Sequence, residues 1–149
     1  MRKTAILNKK ITTEDFANDQ GIISITRQFD YWGDVETEIM ILCFGDESLC
    51  LGYHDAEFYE DIYIGDHIDF KATLLQSGNT SRTIQLETYK VATPTWRLGN
   101  KNVSKNEVTF FEKPKLIGKG MSVLVVKKEL QRGVQPDGII KDPWREIEF

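Results

Sequence analysis

Residues 21–43 read GIISITRQFDYWGDVETEIMILC, and their apolar side chains recur at steps of three or four positions. This spacing is that of one face of an α-helix, so the stretch predicts a buried helix about 33 Å long. Residues 18–20 can cap its start, and Gly45 with Asp46 should end it. Glu36 falls close to the apolar face and needs a partner if it is buried. A helix of this length crosses a whole small domain and needs a sheet to pack against.

The rest of the chain predicts β-strands joined by turns. Ile68, Phe70 and Ala72 alternate with polar residues, which is typical of a half-buried strand, and residues 77–80 have the composition of a tight turn. Residues 94–114 lack a clear period and predict a long loop, and residues 133–149 predict an extended tail. The predicted strands are residues 4–12, 49–58, 66–76, the segment from the turn to residue 91, and 116–126.

The order of these elements favours one architecture. A short strand, one long helix and four strands with short connections predict an antiparallel sheet whose concave face holds the helix. We therefore expect a single α+β domain over residues 1–149 with the hot-dog fold, an antiparallel sheet wrapped around one central helix. An unpaired edge of such a sheet favours a homodimer, which can assemble into a higher oligomer, because two copies can pair there.

Composition narrows the possible functions. The chain is 40% hydrophobic and 28% charged, which is ordinary for a globular protein, and no apolar run approaches the roughly 18 residues of a membrane span. Its start has no export signal, so we expect a cytoplasmic protein. The net charge of −4 disfavours a nucleic-acid partner. Cys43 and Cys50 are expected to be free, buried thiols, and His54 and His67 without matching cysteine ligands predict no metal site.

Five short motifs spread over most of the chain resemble one family. They are Trp32-Gly33-Asp34-Val35-x-Thr37-Glu38-Ile39, Gly52-Tyr53-x-x-x-Glu57-Phe58, Tyr63-x-Gly65-Asp66, Gly78-Asn79-x-Ser81 and Tyr89-Lys90-Val91-Ala92-Thr93. Together they resemble the hot-dog ammonia-lyases that act on β-aminoacyl-CoA thioesters, the beta-alanyl-CoA and 3-aminobutyryl-CoA enzymes. The resemblance implies an acyl-CoA substrate, elimination or addition of ammonia, and no cofactor apart from the coenzyme A of the substrate. Where the family has Asn-Gly before the helix, this chain has Ser24 and Ile25.

The implied reaction needs a carboxylate and donors for an enolate oxygen. Asp34 is the first candidate for the carboxylate, because its position resembles that of the catalytic acid of related hot-dog thioesterases, and Glu38 is the second. The backbone N–H groups of Gly21, Ile22 and Ile23, at the predicted helix N-terminus, are the expected oxyanion donors. A solvated acidic face of the helix is the alternative explanation of Asp34.

The turn between two predicted strands is the candidate CoA contact. Its glycine lets a ligand approach the backbone, and its arginine can pair with a phosphate group, although an ordinary hairpin turn with a surface arginine has the same composition. Thioester hydrolysis, or CoA binding by a catalytically inactive subunit, are alternative functions that the fold does not separate. The expected CoA-binding residues are Gly78, Asn79, Thr80, Ser81 and Arg82, and a basic spot that is either solvated surface or a phosphate contact comprises Lys127, Lys128 and Arg132.

Overall fold

The structure is a computed structural model that describes residues 4–45, 48–99 and 102–126. The tail predicted at residues 133–149 and the basic spot at Lys127, Lys128 and Arg132 lie outside the described residues. The elements are β1 (Thr4–Lys10), α1 (Ile25–Phe44), β2 (Leu49–Phe58), β3 (His67–Ser77), β4 (Ser81–Pro94) and β5 (Val108–Val125), with 3-10 turns at Thr13–Asp15 and Thr95–Leu98.

The five strands form one antiparallel sheet in the order β1-β3-β4-β5-β2. β3 and β4 are joined by the predicted tight turn, whereas β1 and β2 lie at the two edges. The single α-helix of the described residues packs against β1 and β3. The predicted α+β class, with one helix following the first strand and four strands following the helix, is therefore confirmed.

The helix begins four residues later than the periodicity predicts. Ser24 is the N-cap, and its hydroxyl accepts a hydrogen bond from the Arg27 N–H group at 3.2 Å. The preceding residues are extended, because Ile22 forms an isolated antiparallel bridge with Tyr63. At the other end Gly45 has φ +75° and donates its N–H group to the carbonyl of Ile41. Residues 21–23 are therefore outside the helix, and its end agrees with the prediction.

The core lies between α1 and the covered face of the sheet. Trp32 is fully buried, stacks on Phe58 and donates its indole N–H group to the hydroxyl of Thr88 at 2.9 Å. Gly120 lies beneath its ring, where an added Cβ would come within 3.0 Å of the indole. Burial of each such side chain stabilises the fold by about 1.5–3 kcal/mol. The largest remaining members of the core include Ile39, Met40, Phe44, Phe70, Ile84 and Leu86.

The long loop predicted at residues 94–114 is wrong in its second half. β5 begins at Val108, and Val108, Thr109 and Phe110 pair with residues 92–94 of β4. Pro114, which suggested a loop boundary, lies instead beside an irregularity in the β4–β5 register.

β2 is an exposed edge strand. Eight of its ten residues are exposed, and only Tyr53 and Phe58 are half buried. Two register shifts interrupt its pairing with β5. Neither cysteine is in a disulfide, and the prediction that both are buried is wrong, because Cys43 is half buried and Cys50 is exposed. Within the described residues, no helix has the length and apolar character needed to cross a membrane.

Candidate active-site cleft

The start of α1 is held against the connection between β2 and β3. The N–H group of Ile23 donates to the carbonyl of Ile62 at 3.0 Å, and the N–H group of Ile64 donates to the carbonyl of Gly21 at 2.9 Å. Two segments that are distant in the sequence therefore meet at the N-terminus of the helix.

A cleft of about 350 Å³ opens where these segments meet. Ile23, Ile25 and Gln28 form its helix side, and residues 58–61 form the other. Ile25 is larger than the glycine that the resemblance would imply at this position, and its side chain is 52% exposed and lies on the wall of the cleft. The cleft is therefore open in spite of the larger side chain at this position.

Gln28 is the polar group buried in this cleft. Its residue is 3% exposed, and its side-chain oxygen Oε1 has no hydrogen-bond partner. An unpaired buried amide oxygen costs about 1–3 kcal/mol, which a donor on a ligand would offset. The sequence analysis missed Gln28, although a signal was present: it lies four residues before Trp32 and so shares the buried face of the helix.

The oxyanion donors predicted at residues 21–23 are wrong, because their N–H groups are already bonded. Gly21 donates to the carbonyl of Asn18 at 2.9 Å, Ile22 donates to the side-chain oxygen of Asn18 at 3.0 Å, and Ile23 donates to Ile62. Within the described part of the chain, the N–H groups of Ile25 and Thr26 have no hydrogen-bond partner. The first turn of the helix therefore offers two donors beside the cleft.

A network of ion pairs fixes the other wall. Asp66 is fully buried, contacts the Lys90 ammonium at 3.1 Å and accepts a hydrogen bond from the Thr93 hydroxyl at 2.6 Å. Lys90 also lies 3.7 Å from Glu60, which pairs with Lys115 at 2.6 Å. Burial raises the pKa of Glu60, but the hydrogen bond and charges from the two lysines outweigh it, so the pKa lies below its usual value. Glu60 is thus held as a carboxylate on the rim.

Asp34 and Glu38 do not line the cleft of their own chain. Asp34 is exposed and Glu38 is half buried. Asp34 lies nine residues after Ile25, about 13 Å along the helix axis, so its carboxylate is remote from the helix N-terminus. The structure of one chain therefore does not bring the predicted carboxylate and the helix start together.

The turn at residues 78–82 lies at the other end of β3 from the cleft. Arg82 is fully buried, its guanidinium lies 4.1 Å from the ring centroid of Phe44, and Nη1 donates to the carbonyls of Gly78 and Ser81. Because this side chain is enclosed by the protein, its position does not favour the predicted contact with a CoA phosphate, which stays a prediction. A Cβ on Gly78 would lie 2.7 Å from the Ser81 hydroxyl, so the turn itself requires the glycine. Contacts of Asn79 and Thr80 with CoA stay predictions.

Glu36 is a second acidic group enclosed by the fold. It is 2% exposed, and its oxygen Oε1 has no hydrogen-bond partner. Burial raises its pKa to about 7, against the smaller, opposite effect of hydrogen bonds with Tyr53, Ser122 and Cys50. It lies between the helix and strands β2 and β5 rather than on the cleft, so we assign it no part in binding.

The histidines lie apart from this site. His54 is exposed and contacts Asp55 at 3.0 Å, and His67 lies against the ring of Phe110. In the ranges that the structure describes, there is no group of three or more histidine, cysteine or acidic side chains placed to hold a metal ion.

Comparison with known proteins identifies the family. No protein-family model matches the chain. A 3-aminobutyryl-CoA ammonia lyase from Acetoanaerobium sticklandii is 28% identical over 128 residues, 86% of this chain and 98% of that protein. The solved structure of a beta-alanyl-CoA:ammonia lyase from Clostridium propionicum matches with a TM-score of 0.79 and 32% identity, covering 91% of this chain and 93% of that one. The chain belongs to the β-aminoacyl-CoA ammonia-lyase family. The predicted resemblance is therefore confirmed.

Solved structures of more distant proteins share the fold of this chain. An acyl-CoA hydrolase from Staphylococcus aureus matches with a TM-score of 0.62 at 12% identity, covering 93% of this chain and 68% of that one. A hexameric thioesterase from Yersinia pestis matches with a TM-score of 0.62 at 13% identity, covering 91% of each chain. At such identities the likeness concerns the fold alone, and it confirms the predicted hot-dog architecture.

Proposed function

We propose that this protein eliminates ammonia from a β-aminoacyl-CoA thioester, or adds ammonia in the reverse direction. The observation that carries the proposal is the cleft at the start of α1, where the buried, unpaired side-chain oxygen of Gln28 and Ile25, whose backbone N–H group is unpaired, line the same wall. Membership of the ammonia-lyase family supports it, because both named relatives are lyases of this type.

The chemistry that this cleft offers follows from its donors and acceptors. A base takes the Cα proton, the thioester oxygen gains negative charge, and the Cα–H electron pair forms the double bond as the C–N bond breaks with its pair leaving on nitrogen. The N–H groups of Ile25 and Thr26 can donate to the developing oxyanion, where one such donor is worth about 3–4 kcal/mol of barrier. Oε1 of Gln28 can accept a hydrogen bond from the amine.

We propose Asp34 as the base, presented to the cleft of a second copy of the chain. Glu60 suits this role poorly, because its ion pairs with two lysines lower its pKa and so make it a weaker base, and Asp34 lies too far along the helix to act in its own chain. The exposed edge strand β2, with Leu49 at 68% and Leu51 at 64% exposure, supports a homodimer. Assembly beyond a dimer, and the cytoplasmic location, stay predictions.

The test is the identity of the products. The purified protein is incubated with β-alanyl-CoA and 3-aminobutyryl-CoA, and free ammonium and free thiol are measured on the same samples. Ammonium without thiol is expected. Thiol without ammonium would establish a thioesterase instead, and CoA binding with neither product would establish an inactive subunit.

A further inference from the structure

A second cleft lies on the same end of the molecule and differs in charge from the rest of the chain. It measures about 480 Å³, and Gly21 lines it just as Ile23 lines the active-site cleft. Three basic side chains line it, Lys10, Arg97 and Lys105, and none of its lining residues among those that the structure describes is acidic. In a protein with a net charge of −4, such a cleft is a local positive field.

The guanidinium of Arg97 packs against two aromatic rings and has no carboxylate partner among the described residues. Its guanidinium lies 4.1 Å from the ring centroid of Tyr63 and 4.4 Å from that of Trp96. Its Nε atom is buried without a hydrogen-bond partner, and among the described residues no carboxylate pairs with it. By contrast, Arg27 pairs with Asp15 at 3.0 Å. The charge of Arg97 is therefore available to an anion.

A third cleft shares a lining residue with each of the other two. This intermediate cleft of about 240 Å³ is lined by Glu60, Tyr63 and Arg97, among others. Glu60 also lines the active-site cleft, and Arg97 also lines the basic cleft. A long ligand can therefore run from the helix N-terminus to the three basic side chains.

We infer that the cleft of Lys10, Trp96, Arg97 and Lys105 binds the nucleotide part of the CoA substrate. The basic side chains pair with its phosphate groups, and the indole of Trp96, which is 40% exposed, stacks on the adenine ring. The pantetheine arm then follows the intermediate cleft to the thioester site. This inference rests on the proposed function, and it moves the phosphate contact from the turn at residues 78–82 to the opposite end of β3.

The test uses adenosine 3′,5′-bisphosphate, which carries the adenine and phosphate chemistry without the acyl arm. It is titrated into the full-length protein and three variants by calorimetry. Arg97→Met and Lys10→Met should each weaken binding, the first by about tenfold or more, and the affinity should fall as salt is added. Lys9→Met is the matched control, because Lys9 neighbours Lys10 on β1, is equally exposed and lies outside the cleft.

Equal affinity of the wild type, Arg97→Met and Lys10→Met would overturn the inference. So would a loss in Lys9→Met as large as that in Lys10→Met. Because both lysines are exposed, their variants should fold as the wild type does. If nucleotide binding depends on Arg97 but no β-aminoacyl-CoA releases ammonium, the subsite is supported and the proposed reaction is excluded. If Arg97→Met releases ammonium with an unchanged KM for the CoA thioester, the proposed reaction is supported and the subsite is excluded.

Discussion

Gln28 lowers the stability of the fold, because its side-chain oxygen is buried without a hydrogen-bond partner, and we propose that this oxygen contacts the substrate. Its buried oxygen lacks a partner, so Gln28→Leu should leave the free energy of unfolding unchanged or raise it. The same change should lower kcat/KM for the ammonia-lyase reaction by about tenfold or more, because a contact to the amine is lost. Thermal unfolding and steady-state kinetics measure both effects.

The control for that prediction is Gln85→Leu, a half-buried glutamine of β4 that does not line the active-site cleft. It should leave kcat/KM unchanged. Full activity of Gln28→Leu would remove Gln28 from the site.

Arg82 presents the opposite case, a charge enclosed by the core. Burial lowers its pKa, and neither Nε nor Nη2 has a hydrogen-bond partner. Arg82→Ala should destabilise the protein by about 2–4 kcal/mol, because the packing of its stem and guanidinium on Phe44 is lost. Arg82→Met keeps most of that packing and removes the buried charge, so it should cost less. Urea unfolding of the two variants measures the difference, and equal losses would contradict this account.

Glu36 should make stability depend on pH. Its pKa is about 7 in the folded chain against an ordinary value of 4.5, so the folded state binds the proton more tightly. Its contribution to stability is fully present below about pH 4.5 and is lost as pH rises through about 7, a fall of up to about 3 kcal/mol. Glu36→Gln should abolish this fall and be the more stable protein at pH 8.

Urea unfolding at pH 4.5, 6 and 8 measures the slope for wild type and variant. Glu38→Gln is the control for loss of one carboxylate, since it changes the same helix at a half-buried position. The same decline in Glu36→Gln as in the wild type would show that another group causes it.

At the scale of elements, the sequence pattern predicted the helix and most strands, but it misplaced the start of the helix and the start of β5. Ile22, Ile23 and Ile25 continue the apolar pattern, whereas the residue that decides the start is Ser24, whose hydroxyl caps the helix. Arg82 was expected at the surface because it is charged, yet it shares the buried side of β4 with Ile84. The alternation of β4 places Arg82 on the buried side of the strand. The prediction of a surface position relied on its charge instead and was wrong.

The cleft itself lay beyond such reasoning. Its walls come from the helix start and from residues 58–61, which meet through backbone hydrogen bonds between distant segments. Local patterns describe one segment at a time, so they do not specify which loop faces which helix end. The resemblance to the ammonia-lyases predicted the family and the fold, and the pairing of segments required the structure.

The edge strand β2 gives a prediction for the dimer. Leu51 is 64% exposed on this strand, so Leu51→Lys should lower the fraction of dimer without lowering the stability of the single chain. Leu75→Lys is the matched control, because Leu75 is 50% exposed on β3, an interior strand. Sedimentation velocity measures the assembly state, and an unchanged dimer in Leu51→Lys would exclude this part of β2 from the interface.

At the scale of the whole molecule, the three clefts lie at one end of the molecule, and Asp34, the proposed base, lies partway along α1. Gln28 and Glu60 line the active-site cleft, and Arg97 lines both the basic cleft and the intermediate cleft. Asp34 is about 13 Å from that start along the helix axis. The site that we propose therefore combines two copies of the chain, with Asp34 of one facing the cleft of the other.

Mixing two impaired variants tests that arrangement. If Asp34 serves the partner's cleft, a hybrid of Asp34→Asn and Gln28→Leu chains has one cleft with both groups intact, and random pairing should restore about a quarter of wild-type activity. If each chain used its own Asp34, every cleft of the mixture would lack one group. Ammonium release after co-refolding at equal amounts measures the recovery. A mixture of Gln28→Leu with the Gln28→Leu/Asp34→Asn double variant is the control, and it should show no more activity than Gln28→Leu alone. If the first mixture contains hybrid dimers and is no more active than this control, a shared site is excluded.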